Sequence, residues 1–381
     1  MNQIEIKASF YRGGTSKGVF FHQQDLPKNR AERDKRFIEV IGSPDPYRRQ
    51  LNGMGGGISS LSKIVFIRPS IRDDADVDYT FGQVSVDKPV VDYATNCGNL
   101  SSAVGPFAID EGLFAPSLRN GNQIVRLYNT NTNVIIHATV PVVDGGAAVI
   151  GNFHIQGVPG TGARIQLDYL NPGGATTGKL LPADEITTVL TTDVGVYNVS
   201  LVDAATGMVF ISAEELGLTA TELPESIDGN KHLMTRLDII RRVGGVHMGL
   251  ANNPEDISLS NPRIALLAPA REFTAINGEI ISADEQDITV RVVSMNNVHR
   301  VSPLTSALCL AAAVGIEGTL PQQMARKTKN DLKIGTPSGI LPVSADLNCE
   351  DGLWRVRSAR SYRTARRLMQ GSVLIPNDSE N

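Results

Sequence analysis

The sequence predicts an α+β protein built from two similar halves, each wrapping strands around one buried helix. Short alternating strands fill both halves, and each half holds one helix too apolar to face water. At 381 residues the chain also exceeds a comfortable single core, so two domains of roughly 150 to 200 residues are expected.

In the first half, Ile4, Ile6, Ala8 and Phe10 alternate with polar neighbours, as do Val77, Tyr79, Phe81, Val84 and Val86, which marks half-buried strands. The runs KIVFIRPS, IVRLYNTN and NVIIHATVPV add strands that end at Pro or Asn or in a polar turn. The only long helical pattern of this half is GNLSSAVGPFAIDEGL, where Leu100, Val104, Phe107 and Ala108 share a face. The second half repeats the plan. Strands at YNVSLVD, MVFISA, PRIALLAP and ITVRVVSM lead to SPLTSALCLAAAVGIEG, a helix hydrophobic nearly all round, while GNKHLMTRLDIIRRVGG is amphipathic and belongs outside. The Gly-, Pro- and Thr-rich LNPGGATTGKLLPADE is the expected link. The boundary falls near Glu185, giving domains 1–185 and 186–381, with the last strand free to return to the first domain. Two such halves suggest duplication, and a ligand site in the cleft between them.

With 41% hydrophobic and 20% charged residues, the composition has none of the polar bias of disorder. A net charge of −4 leaves no general basic footprint for nucleic acid or anionic lipid. Arg355, Arg357, Arg360, Arg363, Arg366 and Arg367 form one local basic run that leaves room for a small anion. No 18-residue apolar stretch and no signal-peptide core are present, so a cytoplasmic location is expected. Cys97, Cys309 and Cys349 are too few and too scattered for a disulfide framework, which points to a reducing compartment.

Cys97 stands where an apolar strand gives way to the first buried helix. Unpaired N–H groups and the helix dipole favour a thiolate or a bound carboxylate there. Asn96 and Asn99 supply polar contacts, and Gly98 lets a ligand approach the backbone. Cys309 reads as core and Cys349 as surface. The second buried helix is expected to start at Ser302 as N-cap with Pro303 in the first turn, offering a similar anion-binding end. With a pseudo-twofold between the halves, both ends would suit a substrate with two or three carboxylates. RGGTSKG lacks the spacing of a phosphate loop, and GMGGGISSLSKIVF leads into a strand. The latter sets Lys63 at the mouth of an apolar strand, where a lysine can lose its charge and act as a base. His299, just ahead of the second helix, is a ligand candidate. No metal-ligand spacing appears, so neither metal nor cofactor is expected.

The motifs YRGGTSKGVFF, GMGGGISSLSK, DVDYTFGQV, NCGNLSSAVGPFAI, NTNT, GVPGTGA, HMGLA, GTPSGI and RTARRLMQG together resemble the PrpF family of isomerases. This resemblance implies the diaminopimelate-epimerase-like fold: two similar domains, each a β-barrel-like sheet around a central helix. It also implies Lys63 and Cys97 as an acid–base pair, with Thr15, Ser16, Asn96, Gly98, Asn99, His299, Ser338 and Gly339 around the substrate. Pro303 stands about where a two-cysteine epimerase carries its second cysteine, which argues against racemisation. The expected activity is cofactor-independent isomerisation of small unsaturated di- or tricarboxylates of the aconitate or methylaconitate type, by allylic proton transfer. The expected partner is the polycarboxylate itself, without nucleic acid or membrane, and a homodimer is compatible. A cysteine-nucleophile hydrolase using His299, or a catalytically idle carboxylate-binding relative, is the alternative.

Overall fold

In the computed structural model, which describes residues 2–94, 96–328 and 330–377, the chain divides into two compact units. The first comprises Met1–Asp168 with Tyr362–Asn381, the second Tyr169–Ser361.

The first unit runs β1 (Gln3–Gly13), β2 (Ser16–His22), α1 (Arg30–Ile41), β3 (Lys63–Pro69), β4 (Val77–Val84), β5 (Val91–Asp92), α2 (Gly98–Asp110), β6 (Gly121–Asn129), β7 (Val134–Val143) and β8 (Gly146–Ala147). Strand β9 (Ile165–Leu170) crosses the division. The residues of β2 explain how the layers form. Val19, Phe20 and Phe21 are consecutive and all fully buried, which a strand with one wet face does not allow. The ring of Phe20 lies 5.7 Å from Phe107 on α2, and that of Phe21 lies 5.5 Å from Phe37 on α1. The sheet is therefore covered by a helix on each face, and α2 is buried from Leu100 to Ile109. Each large apolar side chain so covered contributes roughly 1.5–3 kcal/mol. Helix α1 departs from the expectation of a single long helix in this half. Its buried residues Phe37, Val40 and Ile41 crowd into its last turns behind a charged start, so no sustained period is visible; Asn29 caps it by accepting from Glu32 N at 3.1 Å.

The second unit runs β10 (Thr188–Thr192), β11 (Gly195–Asp203), β12 (Gly207–Ser212), α3 (Pro224–Asp228), α4 (Lys231–His247), β13 (Arg263–Pro269), β14 (Phe273–Thr274), β15 (Ile280–Ile281), β16 (Ile288–Ser294), β17 (Asn297–Val298), α5 (Leu304–Gly315), α6 (Leu320–Met324), β18 (Leu332–Thr336), β19 (Gly339–Glu350) and β20 (Leu353–Arg363). Strand β12 plays the part of β2. Met208 and Phe210 face the core of α5, while Val209 and Ile211 face the core beneath α4. The last strand, β21 (Ala365–Pro376), lies in the first unit antiparallel to β1, with Ile4 opposite Ile375.

Strand pairing repeats between the units. From β21 through β1, β2, β3, β4 and β6 to β7 the senses are antiparallel, antiparallel, parallel, antiparallel, parallel, antiparallel. From β10 through β11, β12, β13, β16 and β18 to β19 they are the same. The outer helix lies between the third and fourth strands of these orders and the inner helix between the fifth and sixth, in both units.

The chain leaves the first unit at Asp168, ahead of the expected junction near Glu185. The Gly- and Thr-rich stretch is not a linker. The backbone N–H groups of Thr176 and Thr177 donate to Asp203 Oδ2 at 2.7 and 2.6 Å, which fastens it around a buried carboxylate. Among the described residues no helix is long and apolar enough to cross a membrane.

Candidate active site

Helix α2 begins at Gly98 with Cys97 in the N-cap position, in extended conformation at φ −112°. No side chain caps this end. The first intrahelical bond is Ser101 N to Cys97 O at 2.9 Å, so the N–H groups of the first turn remain available to a ligand. Asn96 holds the turn: its Oδ1 accepts from Cys97 N at 2.7 Å, and its Nδ2 donates to the Tyr79 hydroxyl at 3.0 Å. Tyr79 reaches Ser101 Oγ at 2.8 Å, and both are buried. Cys97 thus sits on a rigid polar mount and is itself only partly buried.

Asn99 carries the other side of the site. Its Nδ2 donates to Thr15 Oγ1 at 3.0 Å and lies 3.5 Å from Ser16 Oγ, while its Oδ1 accepts from Arg363 Nε at 3.1 Å. Thr15 and Ser16 are the tip of the β1–β2 hairpin. Its glycines are required by close approach: a Cβ on Gly13 would lie 2.5 Å from Asn99 O, and one on Gly14, whose φ is +51°, would strike Asn99 Oδ1. Arg12 locks the same tip, donating to Gly14 O and Thr364 O at 3.0 and 2.8 Å.

Lys63 opens β3, in parallel register with Gly18 and opposite Gln83 of β4. It is 8% exposed, and its Nζ donates to Gln83 Oε1 at 2.5 Å and lies 4.9 Å from the Phe81 ring centroid. It pairs with no carboxylate among the described residues. Gln83 is fixed in turn, donating to Ser62 O and Ser59 O at 2.9 and 3.0 Å. The glycine-rich loop before Lys63 folds around buried Gln50, which accepts from Gly57 N at 2.8 Å and Ser62 Oγ at 2.7 Å. Gly18 joins the lysine to the helix: its Cβ would meet Leu100 Cδ1 and Lys63 O, each at 2.8 Å. Only the width of a glycine separates the Lys63 backbone from a side chain in the first turn of α2.

Thr15, Ser16, Asn96, Cys97, Gly98 and Asn99 therefore converge on one end of α2, with Lys63 one strand away. Three partners were not singled out from sequence: Gln83, Tyr79 and Arg363. Gln83 and Tyr79 lie within DVDYTFGQV, and pairing that strand against KIVFIRP puts Gln83 across from Lys63. Arg363 read only as one of a local basic run, and in the fold it is 8% exposed.

His299, Ser338 and Gly339 lie in the second unit. His299 Nε2 is 2.7 Å from Ser294 Oγ, and burial, with the nearby charge of Arg263, pushes its pKa down to about 4, so the ring is neutral at pH 7. Ser338 donates to Arg300 O at 2.7 Å, and Gly339 starts β19 at φ +114°. The expected Ser302 cap is displaced by one residue: Pro303 is the N-cap of α5, and its ring gives no side-chain hydrogen bond to the N–H groups of the first turn. Cys309 is fully buried, with its thiol pushed well above the usual range by burial, whereas Cys349 is exposed on β19. No cluster of three or more His, Cys, Asp or Glu arranged to hold a metal occurs among the described residues.

Two units of this topology, each with a buried central helix, define the diaminopimelate-epimerase-like fold. A hydroxyproline epimerase from Agrobacterium vitis shares it at TM-score 0.53 and 11% identity, over 98% of this chain and 94% of that one. A crystal structure of methylitaconate-delta-isomerase is far more similar, with TM-score 0.91 and 38% identity over 99% of this chain and 97% of that one. The 2-methyl-aconitate isomerase of Shewanella oneidensis is 39% identical over 98% of both chains. The family profile described as PrpF protein matches residues 3–376. The chain belongs to the PrpF family, whose relatives reported above are isomerases.

Proposed function

We propose that the chain is a cofactor-independent isomerase of small unsaturated di- or tricarboxylates, of the methylaconitate or methylitaconate type, with Lys63 as base and Cys97 as acid. A C–H one double bond away from a carboxylate is acidic because its electrons spread into a dienolate. Lys63 takes that proton. The Cys97 S–H delivers one to the far end of the allyl system, and the ammonium and thiolate then re-equilibrate with solvent. Rotation within the dienolate gives a cis–trans product; without rotation the double bond shifts. Uncapped N–H groups at the start of α2 stabilise the developing charge, as preorganised donors do most effectively, with Thr15, Ser16, Asn96, Gly98 and Asn99 shaping that end. The same reading assigns His299, Ser338 and Gly339 to substrate binding.

The observation that carries this reading is the mounting of Cys97 at an uncapped helix end in the same unit as Lys63, which is buried with no carboxylate partner among the described residues. Incubation with cis-aconitate, 2-methylaconitate, methylitaconate and 4-oxalomesaconate in deuterated water, followed by proton NMR, tests it. The expected result is deuterium incorporation with isomerisation of at least one acid. A covalent acyl-enzyme detected by mass spectrometry, or no exchange in any acid, refutes it.

A further inference from the structure

Where α1 begins, on the sheet face that it covers, the first unit holds a cavity of about 390 Å³ whose walls gather three arginines. Its origin lies in the strand period. Phe66 and Arg68 share the outer face of β3, with the Phe66 ring 5.8 Å from that of Phe37 on α1. Arg30 and Arg33 stand one turn apart at the start of the same helix. The Arg33 guanidinium lies over the Phe66 ring, 4.7 Å from its centroid, and that of Arg30 over the Tyr93 ring at 4.8 Å. Helix α2 and Cys97 lie on the opposite face of the sheet.

The hydrogen-bonding capacity left open here is nearly all of one kind. The Tyr93 hydroxyl donates to Asp34 Oδ1, and burial together with that carboxylate pushes its pKa well above the usual range, so it adds no negative charge. Asp34 also faces Arg30 Nε at 3.5 Å, while Asp78 accepts from Arg68 Nε at 3.0 Å and Ser70 Oγ at 2.6 Å. Asn131 commits its amide to the backbone of Phe81 and Tyr93, and the hydroxyls of Thr80 and Thr130 bond each other. Arg33 has no such partner: it forms no ion pair among the described residues, and its Nε is buried without a hydrogen bond. Apart from the amide of Gln23, the donors still open to the cavity are guanidinium N–H groups. Such a wall attracts an anion.

We propose that Arg30, Arg33 and Arg68 bind a phosphate group, either inorganic phosphate or the phosphoryl end of a small phosphate ester, at a site separate from the candidate active site. Charge and shape both favour phosphate over carboxylate. Three guanidinium forks from a helix and a strand offer donors from several directions, which a tetrahedral dianion accepts and the two coplanar oxygens of one carboxylate do not.

Titration calorimetry of the full chain with inorganic phosphate and with glycerol 3-phosphate, in low-salt buffer, tests the site. Wild type should bind at least one of them, and Arg33→Gln should bind about 10- to 100-fold more weakly, the range for loss of a charge-assisted hydrogen bond. Arg33→Lys should keep part of the affinity, since the charge stays and the fork goes. Arg30→Gln should weaken binding roughly 2- to 5-fold, as expected for an exposed charge. The Arg30 side chain is 69% exposed, so this variant keeps its core and decides the matter if Arg33→Gln misfolds. Tighter binding of the ester assigns the site to a phosphate ester, and tighter binding of the inorganic ion assigns it to free phosphate. Cys97 should stay open to iodoacetamide with phosphate bound. The proposal is overturned by a wild type that binds neither ligand, by undiminished binding in Arg33→Gln or Arg30→Gln, by displacement with equimolar tricarballylate, or by protection of Cys97 by phosphate. It stands apart from the isomerase reading, which none of these outcomes touches.

Discussion

Helices α2 and α5 occupy the same place in their units and begin differently. Helix α2 starts two residues ahead of its Leu-Ser-Ser-Ala, at Gly98, with Cys97 in the N-cap position and asparagines on both sides of that step. Helix α5 starts at the leucine of Leu-Thr-Ser-Ala, behind Pro303. The extra half-turn of α2 carries a thiol and, next to it, the amide side chains of Asn96 and Asn99. The shorter start of α5 leaves room for the guanidinium of Arg263, which donates to Thr305 and Ser306, a permanent charge that cannot serve as a base at neutral pH. One architecture, used twice, thus carries a thiol at the helix start in one copy and a guanidinium against it in the other.

The largest expected effect breaks the first copy. Lys63→Ala should lower isomerisation by about 10²- to 10⁴-fold and abolish deuterium exchange into substrate, because no dienolate forms without the base. Retention of more than about a tenth of wild-type rate, well outside that range, would place the base elsewhere.

Next in size, Cys97→Ser should depress isomerisation over a similar range, again about 10²-fold or more, while slow exchange at the carbon facing Lys63 persists. Labelling with iodoacetamide sharpens the contrast between the helices. Cys97 and exposed Cys349 should react, buried Cys309 on α5 should not, and a polycarboxylate should protect Cys97 alone. Protection of Cys349, or no protection of Cys97, counts against the site.

A third experiment compares the hairpins. A methyl on Gly13 meets the backbone oxygen of Asn99 at 2.5 Å, whereas one on Gly207 first meets the mobile end of Met248 at 2.9 Å. Gly13→Ala should cost about 1–3 kcal/mol and lower Tm by roughly 2–4 °C per kcal/mol. Gly207→Ala should lower it by less, and equal shifts in a thermal scan would refute the difference in packing.

The smallest effect is a pH dependence in the second unit. His299 titrates near 6.5 when unfolded and near 4 when folded, so between these values the unfolded chain binds the extra proton. Its contribution is intact above about pH 6.5 and declines as pH falls toward 4. Tm should therefore drop between pH 7 and pH 5 less steeply in His299→Gln than in wild type, as differential scanning calorimetry would show.

Much of the fold is legible in the sequence, because its signals are local. Period-two alternation gives the strands, two all-apolar helices announce interiors, and the glycines of the hairpin tip and the Asn-Cys-Gly-Asn turn mark close approach and a helix start. Helix α1 escaped because its apolar face is confined to three residues near its end, and Asn171–Gly178 passed for a linker because nothing local shows that Asp203 will hold it. The sequence by itself determined the strand-rich, two-helix plan and the candidate residues at the first helix. Only the tertiary structure decided that Gln83 faces Lys63, that Arg363 turns inward to Asn99, and that Arg263 lies against α5 with no counter-ion among the described residues. Those pairings depend on strand register between residues far apart in the chain, and on which charges the folded core leaves uncompensated, and neither is written in any local stretch of residues.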